Sequence, residues 1–213
     1  MGGAFVWRME DVLELYAEPY DPARPVVCFD EVSKELHGQV NPPLPARPGD
    51  AAREDHEYTR EGTANVFLFL EPLAGRRTLT VTASRTRVDF AHQMRMLCDE
   101  LYPKAGTIQV VLDNLNTHGP ASLYAAFPPE EARRLTRRLE FHYTPKHASW
   151  LNMAELEFSV PARQCLGRRV ATREELARAV VAWEAGRNAA RAKIAWGFRV
   201  ADARVRLAKL YPV

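Results

Sequence analysis

Three acidic residues in three settings could do chemistry together. Asp30 ends the apolar run Val26-Val-Cys-Phe-Asp30, Asp113 ends Ile108-Gln-Val-Val-Leu-Asp113, and Glu155 lies within Trp150-Leu-Asn-Met-Ala-Glu155-Leu-Glu-Phe158. Two carboxylates at strand ends and a third on a helix are what a site needs to hold divalent cations against a phosphodiester. Hard cations such as Mg²⁺ take oxygen ligands and keep several waters, so a few carboxylates suffice without a Cys or His cage. Two such ions activate an attacking water or hydroxyl and stabilise the leaving oxygen of an in-line displacement. The plain alternative for either Asp is a turn or helix-cap residue after a buried strand.

Position adds weight to the chemical reading. Asp113 opens Asp113-Asn-Leu-Asn-Thr-His118, a polar cluster directly after an apolar strand, where open α/β sheets place their sites. Helical spacing puts Leu151, Ala154, Glu155 and Phe158 on one face, with the carboxylate inside an apolar stripe. Burying it unpaired costs several kcal/mol, so a metal, a cation or a hydrogen-bond network must offset that cost. Glu157 points away from Glu155 and is read as an ordinary solvated acid.

Cys28-Phe-Asp-Glu31, Val111-Leu-Asp-Asn-Leu-Asn-Thr-His118 and Tyr143-Thr-Pro-Lys-His-Ala-Ser-Trp-Leu-Asn-Met-Ala-Glu155 resemble the three motif blocks of the DDE transposases of bacterial insertion sequences related to the mariner group. The resemblance runs from about Trp7 to Leu210. It implies an α/β fold with a ribonuclease-H-like core, a mixed central sheet flanked by helices. It also implies DNA cleavage and strand transfer at transposon ends with Mg²⁺ or Mn²⁺, two ions, held by Asp30, Asp113 and Glu155. Double-stranded DNA is the implied partner, in a homodimeric synaptic complex, and the implied location is the cytoplasm and nucleoid.

Asn114, His118, Lys146, His147, Trp150, Asn152 and Arg163 accompany the triad as DNA-binding or site-supporting residues. For His118 a structural role and a role in positioning phosphate or hydroxyl both stand. Trp150 either stacks on DNA or caps the core, with the core favoured. Three departures from the family pattern stand out: a long second gap filled by the basic stretch Pro128–Leu139, Met153-Ala154 where a proline often precedes the final acid, and Pro161 within the helix of Glu155. An interior proline removes a backbone bond and kinks or ends a helix. Two other readings fit the same residues: a decayed or domesticated DNA-binding remnant, and a ribonuclease H or resolvase-like nuclease.

These residues need a scaffold, and 213 residues, 46% hydrophobic and 26% charged, suffice for a single domain with a sizeable core. Residues 1–24 read as a lead-in with a helix near Met9 to Tyr16, and 40–60 as a Pro-rich loop or arm. Asn65 to Glu71 and Thr78 to Ala83 read as a hairpin across Gly75, Val88 to Tyr102 as a helix with a core stripe, and Leu139 to Tyr143 as a strand. A further helix spans about Arg173 to Arg187, where Trp183 is packing. Cys28, Cys98 and Cys165 suit core packing better than a disulfide or zinc pattern.

No stretch reaches the roughly 18 apolar residues of a membrane span. The net charge is only +2, yet arginines from Arg133 to Arg206 load the second half with cation, as solvated faces or as contacts to a phosphate backbone. Only 29 residues precede Asp30, too few for a helix-turn-helix reader with its own core, so the chain reads as the catalytic half of a split or truncated transposase, a split one having a separate reader polypeptide as partner.

Overall fold

A computed structural model describes residues 2–53 and 55–212. Among them, five strands form one mixed sheet in the order β3-β2-β1-β4-β5: β1 Val26–Gln39, β2 Tyr58–Glu71, β3 Arg76–Thr82, β4 Ile108–Leu112 and β5 Leu139–Tyr143. β1, β2 and β3 form an antiparallel meander, while β4 and β5 run parallel to β1. The β2–β3 turn closes at Gly75, whose φ of +68° favours a residue without Cβ.

Among the described residues seven α-helices surround the sheet: α1 Gly3–Leu15, α2 Arg87–Met96, α3 Pro120–Ala126, α4 Pro129–Thr136, α5 Met153–Gln164, α6 Arg173–Ala189 and α7 Val200–Arg206. Their starts follow local chemistry. Thr86 and Asp89 form a reciprocal capping box on α2, Pro120 and Pro129 stand in the first turns of α3 and α4, and Thr172 caps α6 by accepting from Glu175 N at 3.1 Å.

The two faces of the sheet carry separate cores. One gathers Met9, Leu13, Cys28, Leu68, Ala154 and Leu176 under α1, α5 and α6. The other gathers Val27, Phe29, Phe67, Phe90, Leu97 and Leu123 under α2 and α3. Alternation along β1 accounts for the split, since successive side chains leave a strand on opposite faces.

Four expectations change. Asp30 does not end its strand, because β1 runs on to Gln39 against β2. Only the parallel pairing with β4 stops, at Cys28, and that opens the sheet beside Asp30. The helix begun at α2 widens into a π-helical turn at Leu97–Leu101, closed by Tyr102 N donating to Leu97 O at 3.0 Å. The lead-in is largely α1, packed into the core through Met9, Val12 and Leu13. The loop after β1 is shorter than 40–60, since β2 begins at Tyr58 and isolated bridges join Leu44 to Arg53 and Arg47 to Asp50.

Pro161 does not end α5, which continues to Gln164. Cys28 and Cys98 are buried and Cys165 is half-buried, all three as thiols; burial pushes Cys28 up to about 12 and Cys98 up to about 11. No described helix is long and apolar enough to cross a membrane.

Candidate active site

Asp30 sits on β1 beside the point where β4 falls away. Its Oδ1 accepts from the backbone N–H of Glu31 at 2.8 Å. Its Oδ2 lies 3.3 Å from Asn152 Nδ2. Burial raises the Asp30 carboxyl, and the charges of Glu31, Asp113 and Glu155 push the same way, to about 7. The three sequence-predicted acids therefore share one electrostatic neighbourhood, together with a fourth, Glu31.

Asn152 links two elements of the site. It is 1% exposed and donates to Phe29 O at 3.0 Å, while its Oδ1 accepts from Ala154 N at 3.1 Å and so caps α5. One side chain thus fixes the start of α5, and with it Glu155 in the first turn, against β1 next to Asp30. Glu155 is exposed, which corrects the apolar-stripe reading. α5 starts after a separate 3₁₀ turn at Ser149–Leu151, so Leu151 does not set its face. The buried face is Met153, Ala154, Glu157, Phe158 and Pro161.

Glu157 is accordingly not a solvated acid. It is 2% exposed and accepts from Arg77 Nε and Arg187 Nε, both at 2.9 Å. Burial would raise its carboxyl, but the Arg187 and Arg77 guanidinium groups hold it below the ordinary range.

Asp113 follows β4 directly. Its Oδ1 accepts from Leu115 N at 3.0 Å and lies 2.6 Å from His118 Nδ1. Burial would raise Asp113, but His118 and the Leu115 N–H outweigh it and hold the carboxyl below its usual range. On its other side, His118 Nε2 stands 3.1 Å from Glu31 Oε2. That oxygen is buried without an aligned hydrogen bond, so the contact is ionic. Burial alone would lower His118, but the carboxylates of Asp113 and Glu31 push it up to about 9. His118 is therefore an imidazolium at neutral pH, with both ring nitrogens donors. Its ring stacks on Phe90 at 4.9 Å and meets the edge of Phe29 at 5.4 Å.

Asp30 and Glu31, consecutive on β1, thus reach the site from opposite faces. Arg85 Nη1 adds a cation 3.6 Å from Glu31 Oε1.

The other expected residues divide. Asn114 donates to Thr144 O and accepts from Arg8. Lys146 and His147 line an open groove with Asp113 and Asn114. Trp150, 37% exposed, stacks on Trp196 at 6.3 Å and meets Phe198 edge-on at 5.9 Å, so it is half packing and half surface. Arg163 donates to Ser159 O of its own helix and shares no contact with the site acids among the described residues.

Much of the second-half cation is committed internally. Arg134 pairs with Asp99 and Glu131, and Arg138 donates to the carbonyls of Cys98, Tyr102 and Ala105. Arg169, Arg199 and Arg204 also bond within the chain.

Sequence reasoning missed the roles of Glu31, Arg85 and Arg8. Glu31 was legible in principle, because the residue after a strand acid must face the opposite core. Nothing in the sequence marks Arg8 or Arg85.

Residues 25–177 match the DDE superfamily endonuclease family, more than half of the chain. The chain belongs to that family. No curated protein matches it. Among solved structures it is similar to the Mos1 strand transfer complex, with 13% identity, a TM-score of 0.56, and coverage of 85% of this chain and 53% of the other. It is also similar to the Mos1 mariner paired end complex with Mn, with 14% identity, a TM-score of 0.54 and coverage of 87% and 56%. A pre-cleavage Mos1 transpososome is similar at 14% identity and a TM-score of 0.53, with coverage of 88% and 62%. At these identities the likeness is one of fold, the α/β architecture that the motif blocks imply. The DDE endonuclease chain spans a little over half the length of the solved chains it matches.

Proposed function

We infer that this chain is the catalytic core of a transposase that cleaves DNA at transposon ends and transfers the strand, with Asp30, Asp113 and Glu155 as its metal-holding acids. The observation that carries this reading is a chain of contacts, with Asn152 at the start of α5 on Asp30 and His118 between Glu31 and Asp113, and the crowded acids push the Asp30 carboxyl up to about 7. Acids drawn from three separate segments, and costly to ionise together, are what a divalent cation relieves. Family membership supports the nuclease reading, and the Mos1 complexes supply a fold precedent in which the neighbour is recorded with Mn or Mg.

Among the described residues no three His, Cys, Asp or Glu side chains form a ready-made metal cage, but the donor set fits the ion. All three acids offer hard oxygens, and Asp113 Oδ2 makes no hydrogen bond among the described residues. Asp30, Asp113 and Glu155 would hold the ions. When bound, the ions supply a more acidic attacking water or hydroxyl and charge stabilisation at the phosphate.

The chain's own contribution is orientation. His118 holds Asp113 Oδ1, Asn152 holds Asp30 and the start of α5, and Glu155 stands in open solvent where a strand can reach it. Joining two transposon ends in one complex calls for two copies of the chain.

The direct test is a nicking and joining assay on labelled transposon-end duplex with Mn²⁺ and with chelator. Metal-dependent strand cleavage and joining are expected. A folded protein that cuts only the RNA strand of an RNA:DNA hybrid, or cuts nothing, would sink the transposase reading.

A further inference from the structure

α1 lies upstream of the segment that matches the DDE endonuclease family, residues 25–177, yet it supplies one wall of the ground beside Asp113. The groove lined by Asp113, Asn114, Lys146 and His147, about 290 Å³, adjoins a second depression lined by Ala4, Phe5 and Arg8. Both share Pro145 and Lys146. The two depressions therefore abut at the start of the β5–α5 loop, on a surface path between Asp113 and the first helix.

The cations along this path are Arg8 and Lys146. Arg8 is half-buried, its guanidinium 5.9 Å from the Tyr143 ring centre. Its one hydrogen-bond partner among the described residues is Asn114 Oδ1, and it forms no ion pair among them. Lys146 is exposed and has no hydrogen-bond or ion-pair partner among the described residues. This contrasts with Arg134, Arg187 and Arg204, each closed onto an acid. A partly desolvated guanidinium with most of its donors unused is poised for an oxyanion, and planar forked donors suit phosphate.

We propose that Arg8 and Lys146 form a phosphate subsite that grips the DNA backbone next to the scissile position and leads it to Asp113. The assignment rests on the DNA-cleaving reading above. It makes α1 part of the substrate groove rather than a lead-in. Asn114 couples the two functions, since it accepts from Arg8 and is the residue after Asp113.

Salt dependence tests this without any turnover. Each phosphate neutralised by a cation contributes a slope of about 0.9 to the fall of log K with log salt on duplex DNA. Binding of fluorescent duplex to the full chain is measured by anisotropy in chelator, over roughly 50 to 200 mM salt. Arg8→Gln, which keeps a donor for Asn114, and Lys146→Ala, on an exposed side chain, are each expected to lower the slope by about 0.9. Arg8→Lys should restore it, and Arg134→Ala, whose guanidinium is closed onto Asp99 and Glu131, should leave it unchanged. Unchanged slopes in both Arg8→Gln and Lys146→Ala overturn the subsite, as does an equal loss in Arg134→Ala. Because no metal is present, failure of the wild-type chain to cleave would remove the transposase reading while leaving this result standing.

Discussion

Glu157 accepts from Arg77 Nε at 2.9 Å with both side chains shut off from water, and this pair joins the Glu155 helix to the edge strand β3. Arg187 closes on the same carboxylate from α6, so three elements meet on one charge. Removing one member of a buried pair leaves its partner charged and uncompensated, at a cost of about 3–5 kcal/mol. Glu157→Gln is therefore expected to lower the melting temperature by on the order of 10 °C. A thermal shift below a few degrees would show that the Arg77 guanidinium finds water instead.

The three site acids should behave differently. Asp30→Asn, Asp113→Asn and Glu155→Gln are each expected to keep the fold and lose cleavage. Altering a residue that only supports a metal ligand typically costs 10- to 100-fold, so loss of a ligand should exceed about 100-fold. Asn152→Ala belongs to the supporting class, with an expected loss of roughly 10- to 100-fold. Near wild-type nicking by any of the three acid variants, in folded protein, would remove that residue from the set.

Stability without metal should fall as pH rises. The Asp30 carboxyl is raised to about 7, so the folded chain binds the proton more tightly than the unfolded chain, and stability drains away between about pH 4 and 7. His118, raised to about 9, contributes stability fully present below about pH 6.5 and lost as pH rises through 9. Thermal melts in chelator across this range check both legs, and His118→Gln should abolish the upper one. Mg²⁺ or Mn²⁺ should raise the melting temperature more at pH 8 than at pH 5.5, because the carboxylates then carry the charge that binds it. A metal shift independent of pH would count against Asp30 as a ligand.

Gly75 offers a test away from the site. Its φ of +68° is combined with close approach, since a Cβ there would stand 2.9 Å from the backbone carbon and oxygen of Arg191. Gly75→Ala should cost on the order of 1–3 kcal/mol from backbone strain alone, with added disruption where the segment after α6 docks on the β2–β3 turn. Chemical denaturation measures it, and a neutral result would mean that the segment shifts freely.

Much of this was legible in the residues. Apolar runs located β1 and β4, Gly75 located the hairpin, and the motif blocks led to Asp30, Asp113, Asn152 and His118, all of which lie together. The phase of α5 was not legible, because a helix that starts after a 3₁₀ turn loses register with the residues before it, and the buried and exposed acids Glu157 and Glu155 were interchanged. Nor was the fate of the arginines. Composition counts charges, while partners such as Asp99 for Arg134, or the carbonyls around Arg138, come from distant parts of the chain.

The alternation of β1 divides inheritance within the site. Asp30 lies on the strand face of Cys28, with the core of Met9 and Leu68, whereas Glu31 and its His118 contact lie with Phe29 and Phe90. A lesion in one core therefore disturbs one half of the constellation first. A genetic screen for second-site suppressors of a weakened Asp30 should yield changes clustered among α1 and α5. Suppressors of a weakened His118 should map to α2 and α3, and the two sets should not interchange.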